Sequence, residues 1–186
     1  MSNMMRAAIS FFLITLVGFA PLVRLQAQAR EGVMGDLLND LAEVEKKVLD
    51  LANAMPDSAW EWRPTAGVRS TGEVFQHIAA DNYFMPALME IGAPKETGIT
   101  SDYSTAAAWE KRAIDKKGAI AELQKSFAFL RTSMTNATDE QLAKAYGRRK
   151  TSGRGLWIAT VTHLHEHLGQ LIAYARSNKI TPPWSK

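Results

Sequence analysis

The chain has 186 residues, no cysteine, four histidines, and 22 basic against 19 acidic residues. Without cysteine there is no disulfide framework, no thiolate nucleophile or metal ligand, and no lipidated cysteine anchor. The small positive balance, with no aromatic residues interleaved among the basic ones, argues against a nucleic-acid surface.

Residues 1–29 read as a secretory signal peptide: Arg6 in a short basic start, an apolar run from Ala7 to Val23, and Ala27-Gln28-Ala29 as a small-residue cleavage pattern. Cleavage there starts the mature chain near Arg30 and predicts an exported protein, periplasmic or secreted, with no stable membrane insertion. The alternative is an uncleaved N-terminal membrane anchor, but the apolar run is short for a spanning helix and Pro21 interrupts it. The leader carries Arg6 and Arg24 and no acidic residue, so residues 30–186 hold 20 basic and 19 acidic side chains. That length fits one domain.

The mature part reads as helices separated by turn chemistry, without strand-like alternation. Met34, Leu37, Leu41, Val44, Val48 and Leu51 recur at three-and-four spacing and predict a first helix over 33–54, ended by Met55-Pro56-Asp57. A connector with Pro64 and Gly67 follows, whose Trp60 and Trp62 are expected to cover one end of the core. Ser70 and Glu73 form a capping box for a second helix reaching about Ile91, bent before Pro86. Trp109, Ile120, Leu123, Phe127 and Leu130 predict a third helix over 105–134. Thr138 caps a short helical turn through Leu142, and a fourth helix runs from about Arg154 to before Thr181-Pro182-Pro183. One apolar stripe per long helix makes this an all-α protein, a four-helix bundle with long connecting loops.

The fourth helix carries THLHEHLGQ, with His163, His165 and His167. At about 100° per residue, His163 and His167 lie roughly 40° apart on one face, and His165 points about 200° away from His163. The face of the pair also carries Leu156, Thr160, Gln170 and Tyr174 and looks inward. On the second helix His77 shares a mainly apolar face with Val74, Asp81, Phe84 and Leu88. Three inward imidazoles from two helices match a three-histidine site for a divalent ion that keeps one coordination position open; zinc and nickel are foremost, with iron and manganese also accepted by such donors. The plain alternative is neutral core histidines satisfied by Gln170, Tyr174 or Thr160. Asp81 and Glu73 stand one turn either side of His77. Glu73 belongs to the capping box, and Asp81 is the candidate to orient a ring or act as a base. Gln170, one turn past His167, is a candidate to touch substrate or to hydrogen-bond a ligand ring. His165 and Glu166 are assigned to the rim or to solvent.

Residues 163–167 also satisfy the H-x-x-E-H pattern of inverted zinc peptidases, but no Asp or Glu follows Glu166 to serve as their downstream third ligand. The basic cluster Arg148, Arg149, Lys150 and Arg154 reads as a solvated loop, with anion binding at the following helix N-terminus as the other reading.

WEWRPTAGVRSTGEVFQHIA and HEHLGQLIAYAR resemble the W-R-P…S-x-x-E-x-x-x-H-I and H-x-x-x-H-R-G-Q-L segments of the DinB-like (DinB/YfiT-like) metalloenzyme superfamily, and the ending NKITPPWS is similar to that of many members. Leu168 departs from the pattern, since many members carry arginine there. The resemblance implies that His77, His163 and His167 bind a divalent metal. Members with known activity include bacillithiol and mycothiol S-transferases and a thiol-dependent isomerase, and members often dimerise, which would make this chain a homodimer. The expected function is therefore that of a metal-dependent hydrolase or transferase acting on a small-molecule substrate. A non-catalytic binding module, a thiol S-transferase using an external thiol, and a stress-related structural bundle are the alternatives.

Overall fold

The computed structural model describes residues 32–185; the expected signal peptide and its cleavage site lie outside them. Four long helices carry the fold. Helix α1, Val33–Ala54, has the limits its apolar spacing predicts. A short helix α2, Asp57–Trp60, leads to α3, Thr71–Leu88, whose Ser70/Glu73 capping box is formed in both directions. Helix α3 stops three residues earlier than expected, with Pro86 accommodated in its last turn and Glu90 turning the chain at φ 63°.

The expected third helix is two helices. Helix α4, Tyr103–Trp109, ends at Glu110, and α5, Lys116–Thr135, starts afresh with Asp115 accepting a hydrogen bond from the Gly118 amide. Apolar spacing continues across the break, but an N-cap aspartate offers the backbone a new start there. The Thr138 turn is present as α6, Asp139–Ala143, with a Thr138/Gln141 capping box. A two-residue hairpin that sequence periodicity does not show, β1 Ala145–Tyr146 against β2 Thr151–Ser152, turns through the basic loop. Helix α7, Gly153–Ser177, completes the chain.

Helix α1 packs on α5 and α7, and α3 packs on the same two, so the order around the bundle is α1, α5, α3, α7. The core lies between them: Leu41, Val44 and Leu51 from α1, Phe75 and Ile78 from α3, Leu123, Phe127 and Leu130 from α5, and Trp157, Leu164 and Leu171 from α7 are buried. Trp60 covers one end as expected, stacked on Phe75 at 5.1 Å and 14°. Gly72 permits this, because a Cβ there would stand 2.3 Å from the indole Nε1. Among the described residues no helix is long and apolar enough to cross a membrane.

Candidate metal centre

The seam between α3 and α7 holds the site. These helices run antiparallel, and each presents a pair spaced by one turn: His77 and Asp81 on α3, His163 and His167 on α7. His77 therefore faces His167, with ring centroids 4.6 Å apart, and Asp81 faces His163, Oδ2 to Nε2 2.8 Å. Asp81 Oδ2 also lies 3.2 Å from His77 Nε2. His163 Nε2 and His167 Nε2 are 3.1 Å apart. Each of the four side chains offers a donor atom within 4.8 Å of the others, and this is the one such group found among the described residues. His77 and Asp81 are buried, while His163 and His167 are partly open.

What the far side of each ring touches decides which nitrogen is free. His77 Nδ1 lies 2.6 Å from Glu110 Oε2 and donates its proton to that carboxylate, which turns Nε2 towards the cluster. The Glu110 carboxylate is held in turn by Arg69 Nη2 at 3.0 Å. For His167 the assignment follows a relay. Tyr174 Oη donates to the Arg69 carbonyl, so it accepts from Gln170 Nε2. Gln170 then turns its Oε1 to His167 Nδ1 at 2.9 Å, which puts the proton on Nδ1 and the lone pair on Nε2. His163 Nδ1 faces Glu166 at 3.3 Å. The outer nitrogens are engaged and the inner ones converge, which is the arrangement that metal-ligating histidines require.

The electrostatics agree. The hydrogen bond to Asp81 raises the His163 pKa, against the opposing effect of burial. Burial pushes His167 down to about 4, with the neighbouring His77 and His163 adding to the effect and Gln170 opposing it. Glu110 is lifted by burial but pulled further down by the hydrogen bonds and charges of His77 and Arg69, so it ends below the usual carboxylate range. Without a cation, a proton on His163 satisfies Asp81, while the lone pair of His167 faces the same small space. Three imidazole nitrogens, with the Asp81 carboxylate beside them, could hold a divalent ion.

The expected site residues fall as follows. Gln170 spends both ends of its amide on His167 and Tyr174, the ring-holding one of its two expected roles. Asp81 stands inside the donor cluster, closer than a flanking residue. Thr160 bonds the Leu156 carbonyl and satisfies no imidazole. Glu73 serves its capping box and pairs with Arg63. His165 pairs with Asp40 on the surface, and Glu166 is exposed, both as expected. Glu110 and Arg69 escape sequence reading because they lie outside the periodic part of their segments.

A mainly helical bundle whose facing helices supply a convergent set of nitrogen and oxygen donors is built like the metal-site bundles. Residues 40–171 match the DinB superfamily, and the chain belongs to it. The fold is similar to that of the DinB-like protein YjoA of Bacillus subtilis, with a TM-score of 0.62 and 18% identity over 81% of this chain and 98% of that one. It is likewise similar to YfiT of the same organism, described as a probable metal-dependent hydrolase with an unusual four-helix bundle topology, at a TM-score of 0.62 and 18% identity over 83% and 94% of the two chains. No curated protein matches the chain.

Proposed function

We propose that the protein is a divalent-metal-dependent hydrolase or transferase of a small molecule, with His77, His163 and His167 as the ligands. The observation that carries this reading is the convergence of three imidazole Nε2 atoms on one point while their Nδ1 atoms are bound from outside. The description of YfiT supports it. A divalent ion at that point supplies Lewis acidity, polarising a substrate oxygen and lowering the pKa of water. Asp81 Oδ2, 2.8 Å from His163 Nε2, would be the group to accept the proton of an attacking water or thiol. Glu110 and Gln170 hold two of the rings in the required tautomer. With no cysteine in the chain, transfer to a thiol takes that thiol from a cosubstrate.

Protein purified without chelator is expected to carry one divalent ion per chain by elemental analysis, and His77→Ala and His163→Ala are expected to lose it. Absence of stoichiometric metal in the unaltered protein sinks the reading. Asp81→Asn is expected to retain the ion and to lose on the order of a hundredfold or more in turnover of activated esters. Loss of metal in Asp81→Asn would make it a fourth ligand instead. Metal retained with no turnover on ester or thiol-conjugation panels would leave a binding module.

A further inference from the structure

Two side chains of the donor cluster, Asp81 and His163, line a groove of about 460 Å³, inside the roughly 300–1,000 Å³ range of small-molecule sites. Its walls follow from the same helical periodicity that makes the cluster. On α3, Phe84 and Met85 come three and four residues after Asp81; on α7, the small Ala159 and Gly155 come four and eight residues before His163, so the groove runs along the seam away from His77. Ile158 of α7 also lines the groove. Tyr103, at the start of α4, stands edge-on to Phe84 at 5.6 Å and 71°. Tyr103 and Ile158 are 54% and 44% exposed. Apolar side chains left open to water side by side, around the mouth of a donor cluster, mark a binding surface more than scattered exposed residues do.

Charge narrows the occupant. The ionisable groups lining the groove are Asp81, His163, Glu166 and Tyr103, with no lysine or arginine among them. The basic loop residues Arg148, Arg149, Lys150 and Arg154 do not line it. Away from the cluster, an anionic arm would meet Glu166 and no lysine or arginine. The two cavities lined by Glu110 include none of the four cluster residues.

We propose that this groove receives the arm of the substrate, and that the substrate class is a neutral, largely apolar molecule, aromatic or branched, carrying a single polar group that reaches the cluster. The inference rests on the metal-dependent reading above and specifies what that centre acts on.

Two hydroxamates that differ only in their arm test it, titrated calorimetrically into metal-loaded protein. Phenylbutanohydroxamate is expected to bind on the order of tenfold or more tighter than acetohydroxamate, because its ring leaves water for the groove. The double substitution Tyr103→Ser and Ile158→Ser, at two exposed positions, is expected to erase that advantage while metal content and acetohydroxamate binding stay unchanged. Equal binding of the two probes, or an advantage that survives the double substitution, overturns the proposal. If neither hydroxamate binds, the metal-dependent reading fails by itself. The groove is then judged on chelator-treated protein with the neutral fluorophore N-phenylnaphthylamine: binding lost in the double variant upholds an apolar site, and binding absent from the unaltered protein or unchanged in the variant overturns it.

Discussion

Glu110 sets the orientation of His77 from outside the cluster, and Arg69 braces both outer networks at once. The Arg69 guanidinium holds the Glu110 carboxylate, and its backbone carbonyl accepts from Tyr174, the last link behind Gln170 and His167. Replacing the carboxylate weakens the bond that fixes the His77 tautomer. Glu110→Gln is expected to lower metal affinity by roughly 10–100-fold while the fold stays intact, read by competition with a chromogenic chelator and by circular dichroism. An unchanged affinity would mean that the ring needs no such brace. The three histidines were legible in the sequence because residue type and helical period coincide in them. Glu110 was not, because its partner lies 33 positions earlier and only the fold brings the end of α4 to the back of α3. Gln170 was half legible: its spacing gave the neighbour, but its role depends on a tyrosine hydroxyl whose direction only the Arg69 carbonyl reveals.

Where sequence periodicity was unbroken, as in α1, element limits came out as expected; where it was interrupted by capping chemistry they did not. The break between α4 and α5 is a competition between apolar spacing, which continues, and Asp115, which caps. It matters for the site because it leaves Glu110 at a helix end, free of the α5 register. The start of α7 is fixed by close approach. A Cβ on Gly153 would lie 2.2 Å from the Gln141 carbonyl oxygen and 3.2 Å from Leu142 Cα, so α6 rests directly on the α7 backbone. Intrinsic helix propensity would have alanine stabilise this position by about 1 kcal/mol. The contact reverses the sign: Gly153→Ala is expected to destabilise the protein by about 1–3 kcal/mol, lowering Tm by roughly 3–10 °C in a thermal melt. A rise in Tm would show that α6 yields without cost.

At the scale of the molecule, the class of fold was legible from four apolar stripes, but the order α1, α5, α3, α7 was not. Stripes state that a helix has an inner face and leave its neighbours unnamed, since connections of 16, 27 and 17 residues between the long helices reach any of them. The seam joining α3 to α7 links distant parts of the chain, so an ion bound there favours the folded state alone. Chelation is expected to lower Tm: at an ion concentration a hundredfold above Kd the ion contributes about 2.7 kcal/mol, equivalent to roughly 5–10 °C. His77→Ala is expected to melt at one temperature with or without chelator, and calorimetric scans of both proteins check it. A Tm indifferent to chelator in the unaltered protein would place any bound ion elsewhere.

All four donor side chains come from two of the four long rods, and the other two supply none. Helices α1 and α5 thus act as a splint, chemically blank, whose duty is to hold a parallelogram of donors rigid from behind. Substitution on that half is expected to be governed by packing, together with the buried hydrogen bond from Asn82 to Ser126 of α5. The donor-bearing half is portable: any backing that keeps the two rods at the same separation and stagger would present the same four corners.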